Sequence, residues 1–183
     1  MSYTNLKGGL GYEGKVTLTL KSNGRILDSK TYKNNGTAQL FKFLGYCLIG
    51  NYEKVKGLLP NKILLLNNMS GDKPALASPT NVEFVTEWQY LKQIPTIISD
   101  SDRGEVRVIY NFEVSKASIT DSFNQIALYG SGLNYDEITN FSAYHYLVNS
   151  SESFENINAK EWSATTVLLI EWELTISNKN IEY

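Results

Sequence analysis

The sequence predicts a mainly β protein, an antiparallel, jelly-roll-like β-sandwich with one amphipathic α-helix. The strongest evidence is the last apolar run, residues 164–177 (ATTVLLIEWELTIS), in which apolar and polar side chains alternate as in a long, half-buried strand. Residues 105–115 alternate in the same way, with valine, tyrosine and phenylalanine on one side. Turn-forming residues separate these runs from several shorter apolar runs, which favours a sandwich over a βαβ arrangement.

The first predicted elements are a hairpin and the helix. Residues 15–20 and 26–32 alternate, and Asn23 and Gly24 between them suit a tight turn with positive φ. The residues NNGT at 34–37 offer a cap, so a helix is expected near residues 37–50. Its apolar side chains recur every three or four positions and are expected to pack against the sheet; they are Leu40, Phe41, Leu44, Cys47 and Leu48.

The remaining strands are predicted at residues 62–66, 82–88, 90–98, 124–129 and 140–148. Pro95 has no amide hydrogen, so it confines the 90–98 strand to a sheet edge or a bulge. Residues 67–80 and 130–137 are rich in turn-forming residues and are expected to project as contact loops. The predicted organisation is a flexible or contact segment (1–14), a single sandwich domain (15–177) and a C-terminal tail (178–183).

The composition excludes several classes of protein. The chain of 183 residues is long enough to form one core without a metal or a disulfide. Its single cysteine, Cys47, cannot form an internal disulfide, so the thiol is expected to be reduced or buried, and the apolar stretch around it favours a place in the core. The net charge of −2, without a dense basic block, argues against a nucleic-acid partner. No signal-like start and no bilayer-length apolar run is present, so no membrane association is expected.

No motif in the sequence predicts a catalytic, cofactor-binding or metal-binding residue. Residues 9–14 match G-x-G-x-x-G, but they precede a predicted strand, whereas a dinucleotide site follows a strand and opens a helix. His145 has no second histidine or cysteine to complete a metal site, so a structural or interface role is expected. Asp100, Asp102 and Glu105 are similar to the start of a calcium loop, whose later ligands are absent.

Glu171 and Glu173 form the one pair of carboxylates on a single strand face that could suggest glycosidase chemistry. The opposite face of their strand is predicted to be the core. The two side chains are therefore expected to be solvent-facing charges or contacts between protomers.

Three segments within residues 118–177 carry a resemblance to a known group of proteins: SITDSFNQIALYGSG, NFSAYHYL and EWSATTVLLIEWELTIS. They resemble the C-terminal part of small virion proteins of tailed bacteriophages, in which an N-x-I-A-L strand, an F-S-A segment and a final W-x-L/I-T-I strand follow one another. The segments KTYKNNGTAQLFKFLGYCLIG and PNKILLL resemble the hairpin, helix and next strand of the same group.

This resemblance implies a non-enzymatic structural component of the virion, synthesised in the host cytoplasm and needing no cofactor. Such proteins assemble as symmetric homo-oligomers and bridge other virion proteins. They include neck ring or head-tail connector components, baseplate and fibre adaptors, and head fibre or decoration subunits.

Two other functions are consistent with the sequence. A receptor- or carbohydrate-binding module would stack aromatic rings on sugars, and the available aromatic residues are Trp88, Tyr90, Tyr144 and Tyr146. A hydrolase would act through Glu171, Glu173 or His145, although these residues form no recognisable catalytic arrangement.

Overall fold

The computed structural model describes residues 10–68, 82–87, 89–132 and 147–178. In these ranges the chain forms ten strands, two α-helices and two short 3-10 helices, so the prediction of a mainly β protein is confirmed. In chain order the elements are β1 (Leu10–Ser22), β2 (Arg25–Gly36), α1 (Ala38–Leu48), α2 (Tyr52–Leu58), β3 (Pro60–Asn68), β4 (Val82–Phe84), β5 (Gln89–Tyr90), β6 (Thr96–Asp100), β7 (Glu105–Ser115), β8 (Gln125–Gly130), β9 (Leu147–Ser151) and β10 (Thr166–Asn178).

The β1–β2 hairpin closes with the predicted tight turn. Asn23 and Gly24 have φ values of 49° and 77°, the left-handed conformation that a two-residue turn of the primed type requires. Strand β1 begins at Leu10 and pairs with β10 from its first residue. The sheet therefore includes residues 10–14, which the sequence assigned to the N-terminal segment.

The strands form one continuous antiparallel sheet that curls into a half-barrel. The strand order is β4-β3-β8-β9-β2-β1-β10-β7-β6, with β5 paired to β3 outside this path. Strand β2 joins the two halves of the sheet. Its residues up to Lys33 pair with β1, and Asn34 to Gly36 pair with β9. The inner faces of both halves contribute to a single apolar core.

The core follows from the two-residue alternation of the long strands. In the β1–β10–β7 register, Val16, Trp172 and Tyr110 lie opposite one another, and the next inward row is Leu18, Ile170 and Phe112. All six side chains are buried. From the other half of the sheet, the core receives Ile63, Leu65, Ile126, Leu128 and Val148.

Helix α1 lies within the predicted span, but its apolar stripe packs differently from the expectation. Thr37 caps the helix by accepting a hydrogen bond from the amide of Gln39 (3.2 Å), and Leu40 is buried in the core. Phe41, Leu48 and the thiol of Cys47 are exposed. The prediction of a buried cysteine is wrong because the sheet covers only part of the stripe. Helix α2, capped by Asn51, was not predicted.

A buried polar cluster holds together the point where the two halves of the sheet meet. The hydroxyl of Tyr12 (β1) donates to Oδ1 of Asn34 (β2) at 2.7 Å and accepts a hydrogen bond from Nδ2 of Asn149 (β9). Asn34 Nδ2 in turn donates to the carbonyl oxygen of Glu173 in β10 (3.2 Å). Because buried polar groups are costly without partners, this network favours one arrangement of the four strands.

Gly130, at the end of β8, allows helix α2 to approach the sheet closely. A Cβ atom at this position would lie 2.8 Å from Cα of Leu58 and nearer still to the carbonyl oxygen of Gly57. We expect Gly130→Ala to lower the free energy of unfolding by about 1–3 kcal/mol, because helix backbone would have to move. Urea denaturation followed by circular dichroism would measure the change.

The matched control is Gly45→Ala in α1, where an added Cβ meets nothing within 4 Å. Alanine is favoured over glycine inside a helix, so this variant should be about 0.5–1 kcal/mol more stable than the wild type. Equal effects of the two substitutions would contradict the close approach at Gly130.

Neither helix in the described part of the chain is long and apolar enough to span a membrane.

Candidate functional site

Strand β6 is the last strand of the sheet on its side of the strand order. It pairs with β7 from Thr96–Ile109 to Asp100–Glu105, and among the described residues no strand pairs with its other edge. An unpaired edge presents backbone amide and carbonyl groups that another strand can bind. The sequence indicated an edge here through Pro95, which directly precedes the strand.

This edge carries exposed apolar side chains, all of them isoleucines. Ile97 is 70% exposed, Ile98 is also exposed, and Ile94 shortly before the strand is 93% exposed. Residues 96–99 carry no charge. Natural proteins usually protect an open edge with lysine or with an inward-pointing charge. We call Ile94 and strand β6 the β6 edge.

A second exposed apolar surface lies on the helices. It consists of Phe41, Leu48, Ile49, Tyr52 and Leu59, of which Leu48 is 82% exposed. We call it the α1–α2 surface. The two helices contain three lysines and one glutamate, a net charge of +2 in a chain whose total is −2. This surface is therefore both apolar and locally basic.

The two candidate carboxylates occupy different environments on the outer face of the sheet. Glu171 is exposed and lines an open cleft of about 440 Å³ with Lys21, Lys92 and Asn111. Glu173 is buried, so the expectation of a solvent-facing charge is wrong for this residue. Lys15 lies directly opposite it on β1 and pairs with it at 3.2 Å, and the Thr175 hydroxyl donates to it at 3.2 Å.

Two of the carboxylates around Gly104, those of Asp100 and Glu105, lie beside arginines. The Asp100 carboxylate accepts a hydrogen bond from the Arg103 amide (3.0 Å) and lies 3.7 Å from Nε of the same arginine. Glu105 lies 3.3 Å from Nε of Arg107. In the described ranges, no three or more histidine, cysteine or acidic side chains are arranged to hold a metal ion.

Several residues considered from the sequence lie outside the described residues: Gly9, Trp88, Tyr144, His145 and Tyr146, with most of the two predicted contact loops. Gly11 and Gly14 of the glycine motif lie within β1. Of the aromatic residues proposed to stack on sugars, Tyr90 is described. It is exposed, and the Lys62 ammonium group lies 5.8 Å from its ring centroid.

Sequence reasoning missed the α1–α2 surface, because a helical stripe that faces solvent has the same spacing as one that faces a core. It also missed a groove beside Tyr32 and Trp162, since these residues are 130 positions apart and no local pattern connects them. Comparison of the chain with protein-family models, curated proteins and solved structures gives no match.

Proposed function

We propose that this chain is a non-enzymatic structural component of a tailed bacteriophage virion, which self-associates symmetrically and bridges other virion proteins. The assignment to a virion is supported by a resemblance to small virion proteins, which covers the C-terminal strands, the hairpin and the helix. The single observation that carries the self-association is the open β6 edge, which has exposed isoleucines and no charge from Thr96 to Ser99. Closure of the two sheet halves into a jelly-roll-like sandwich is part of the same proposal, supported by their common core.

The occupant that best fits the β6 edge is β6 of a second copy. In an antiparallel two-fold pairing centred on Ile98, Ile98 of one copy lies opposite Ile98 of the other copy. Ile97 of one copy then lies opposite Ser99 of the other. Asp100 then lies opposite Thr96, so no like charges meet across the contact. The pairing would satisfy the open backbone groups and continue the sheet from one protomer into its partner.

A two-fold contact of this kind closes after two copies, so a ring or a bridge to other proteins needs another surface. The α1–α2 surface is suited to this role because it belongs to different elements and combines apolar side chains with positive charge. Its expected partner is an apolar, acidic segment of another virion protein.

The β6 contact predicts a clear effect of charge at its centre. Ile98→Lys would place two lysines directly opposite each other, and we expect self-association to weaken about 100-fold or more. Analytical ultracentrifugation over a wide range of protein concentration would measure this. An equimolar mixture of Ile98→Lys and Ile98→Asp chains should associate again, because opposite charges then meet across the two-fold axis.

The matched control is Ile26→Lys. Ile26 lies in the β1–β2 hairpin, outside the β6 edge, and is 63% exposed. This variant should associate like the wild type. A wild-type chain that stays monomeric at high concentration, or an Ile98→Lys variant that associates normally, would overturn the β6 contact. The virion assignment is tested separately by mass spectrometry of purified phage particles whose genome encodes this chain, and absence of the chain from them would reject it.

A further inference from the structure

A groove of about 260 Å³ lies on the inner face of the sheet, between β2 and the segment that leads into β10. Its floor is aliphatic and includes Leu18 and Leu168, both of which are buried. Pockets for drug-sized ligands usually measure about 300–1,000 Å³, so this groove suits a smaller ligand or one unit of a longer one.

Two aromatic side chains line the groove and are held in place by the core. The Tyr32 ring stacks on Phe154, with centroids 4.4 Å apart and an angle of 23° between the planes. Trp162 packs at 88° against Phe123, which is completely buried, with centroids 6.2 Å apart. Both rings are only partly buried, so they combine rigid positions with accessible surface. A preorganised aromatic wall reduces the entropy lost when a ligand binds.

The polar residues of the groove supply hydrogen-bond donors and acceptors together. Asp28 and Glu155 provide carboxylate acceptors, while Lys30 and the Asn156 amide provide donors, and all four are exposed. Lys30 Nζ lies 3.8 Å from a carboxylate oxygen of Asp28, two residues before it on the same strand. Asn156 Nδ2 donates to Ser122 Oγ (3.3 Å), which fixes this part of the segment. Two acids and one base make the rim net negative, which disfavours phosphate and other anions.

The geometry points to a binding site for one ring of a neutral saccharide in this Tyr32–Trp162 groove. A pyranose ring has an apolar C–H face that would pack on the aromatic and aliphatic surface. Its hydroxyl groups can donate hydrogen bonds to the carboxylates of the groove. They can also accept hydrogen bonds from the ammonium and amide groups. This site is independent of the proposed self-association, because it uses none of the residues of the β6 edge.

Saccharide binding is tested with the full chain on a glycan array and by saturation-transfer NMR. The NMR probes are methyl glycosides of hexoses and of N-acetylhexosamines at millimolar concentration, which distinguish plain from N-acetylated sugars. Binding of at least one of these glycans is the expected result. Trp162→Ala should weaken it about 10-fold or more, because an aromatic anchor is removed.

Asn156→Ala is the second variant, and its exposed side chain can be removed without opening the core. It should weaken binding in the same direction as Trp162→Ala. Tyr52→Ala is the matched control, since Tyr52 is an exposed aromatic residue of helix α2 that does not line the groove, and it should bind like the wild type. No glycan bound in either assay, full binding by both groove variants, or loss of binding in Tyr52→Ala would each overturn the inference.

Discussion

Replacement of Trp172 by alanine is expected to lower the free energy of unfolding by about 3–5 kcal/mol, as for other large aromatic residues removed from a core. Trp172 is completely buried in the middle of β10, between Val16 of β1 and Tyr110 of β7. Its loss would leave a cavity where three neighbouring strands meet, and the surrounding structure relaxes only partly into such a cavity. Chemical denaturation with urea, followed by circular dichroism, would measure the effect.

Trp172→Phe separates the packing of the ring from its polar atom. The indole Nε1 has no hydrogen-bond partner among the described residues, and a buried donor of this kind costs about 1–3 kcal/mol. Phenylalanine removes that donor and keeps an aromatic ring, so Trp172→Phe should lose much less stability than Trp172→Ala. Tyr90→Ala, at an exposed site, is the control. An alanine variant of Trp172 as stable as this control would contradict the assignment of the core.

Alkaline pH is expected to unfold the protein through its buried tyrosines. Burial raises the pKa of Tyr110 to about 12, and it also raises the pKa of Tyr129 and of Tyr12. Hydrogen bonding from Asn149 to Tyr12 opposes this rise without cancelling it. In the unfolded chain a tyrosine ionises near pH 10, so these side chains must lose their buried environment before they can ionise at their ordinary pKa.

The sign follows from proton linkage. Below about pH 10 the tyrosines are neutral in both the folded and the unfolded state, and their contribution to the free energy of unfolding is fully present. Above that pH the unfolded state loses protons and the folded state keeps them, so stability falls as pH rises toward the folded-state pKa values. Tyr110 and Tyr129 together should remove at most about 3 kcal/mol per pH unit, with the steepest loss near pH 11. Thermal melts at a series of pH values would measure this loss.

Tyr129→Phe should flatten the decline in stability above pH 10, because one ionising group is removed from the linkage. Tyr52→Phe is the control, since that ring lies largely in solvent, and its alkaline decline should match the wild type. A wild-type melting temperature that does not change up to pH 12 would show that the two tyrosines are not buried as described.

Part of this structure was predictable because it is encoded by neighbouring residues. Alternation in residues 105–115 and 164–177 specified strands β7 and β10 and the face that each turns to the core. Asn23 and Gly24 specified the hairpin turn, because few other residues accept positive φ. Pro95 indicated an edge strand, because it cannot donate to a neighbouring strand.

Only the tertiary structure decided which faces of the strands and helices pack against each other. The stripe of α1 looks continuous in sequence, yet the sheet covers Leu40 and leaves Phe41 and Leu48 exposed. Glu173 alternates like a surface residue, yet it is buried and pairs with Lys15, which lies opposite it on β1. Side-chain periodicity is fixed by backbone geometry within a few residues. Strand order, coverage and grooves depend on contacts between distant segments, whose pairing no local pattern specifies.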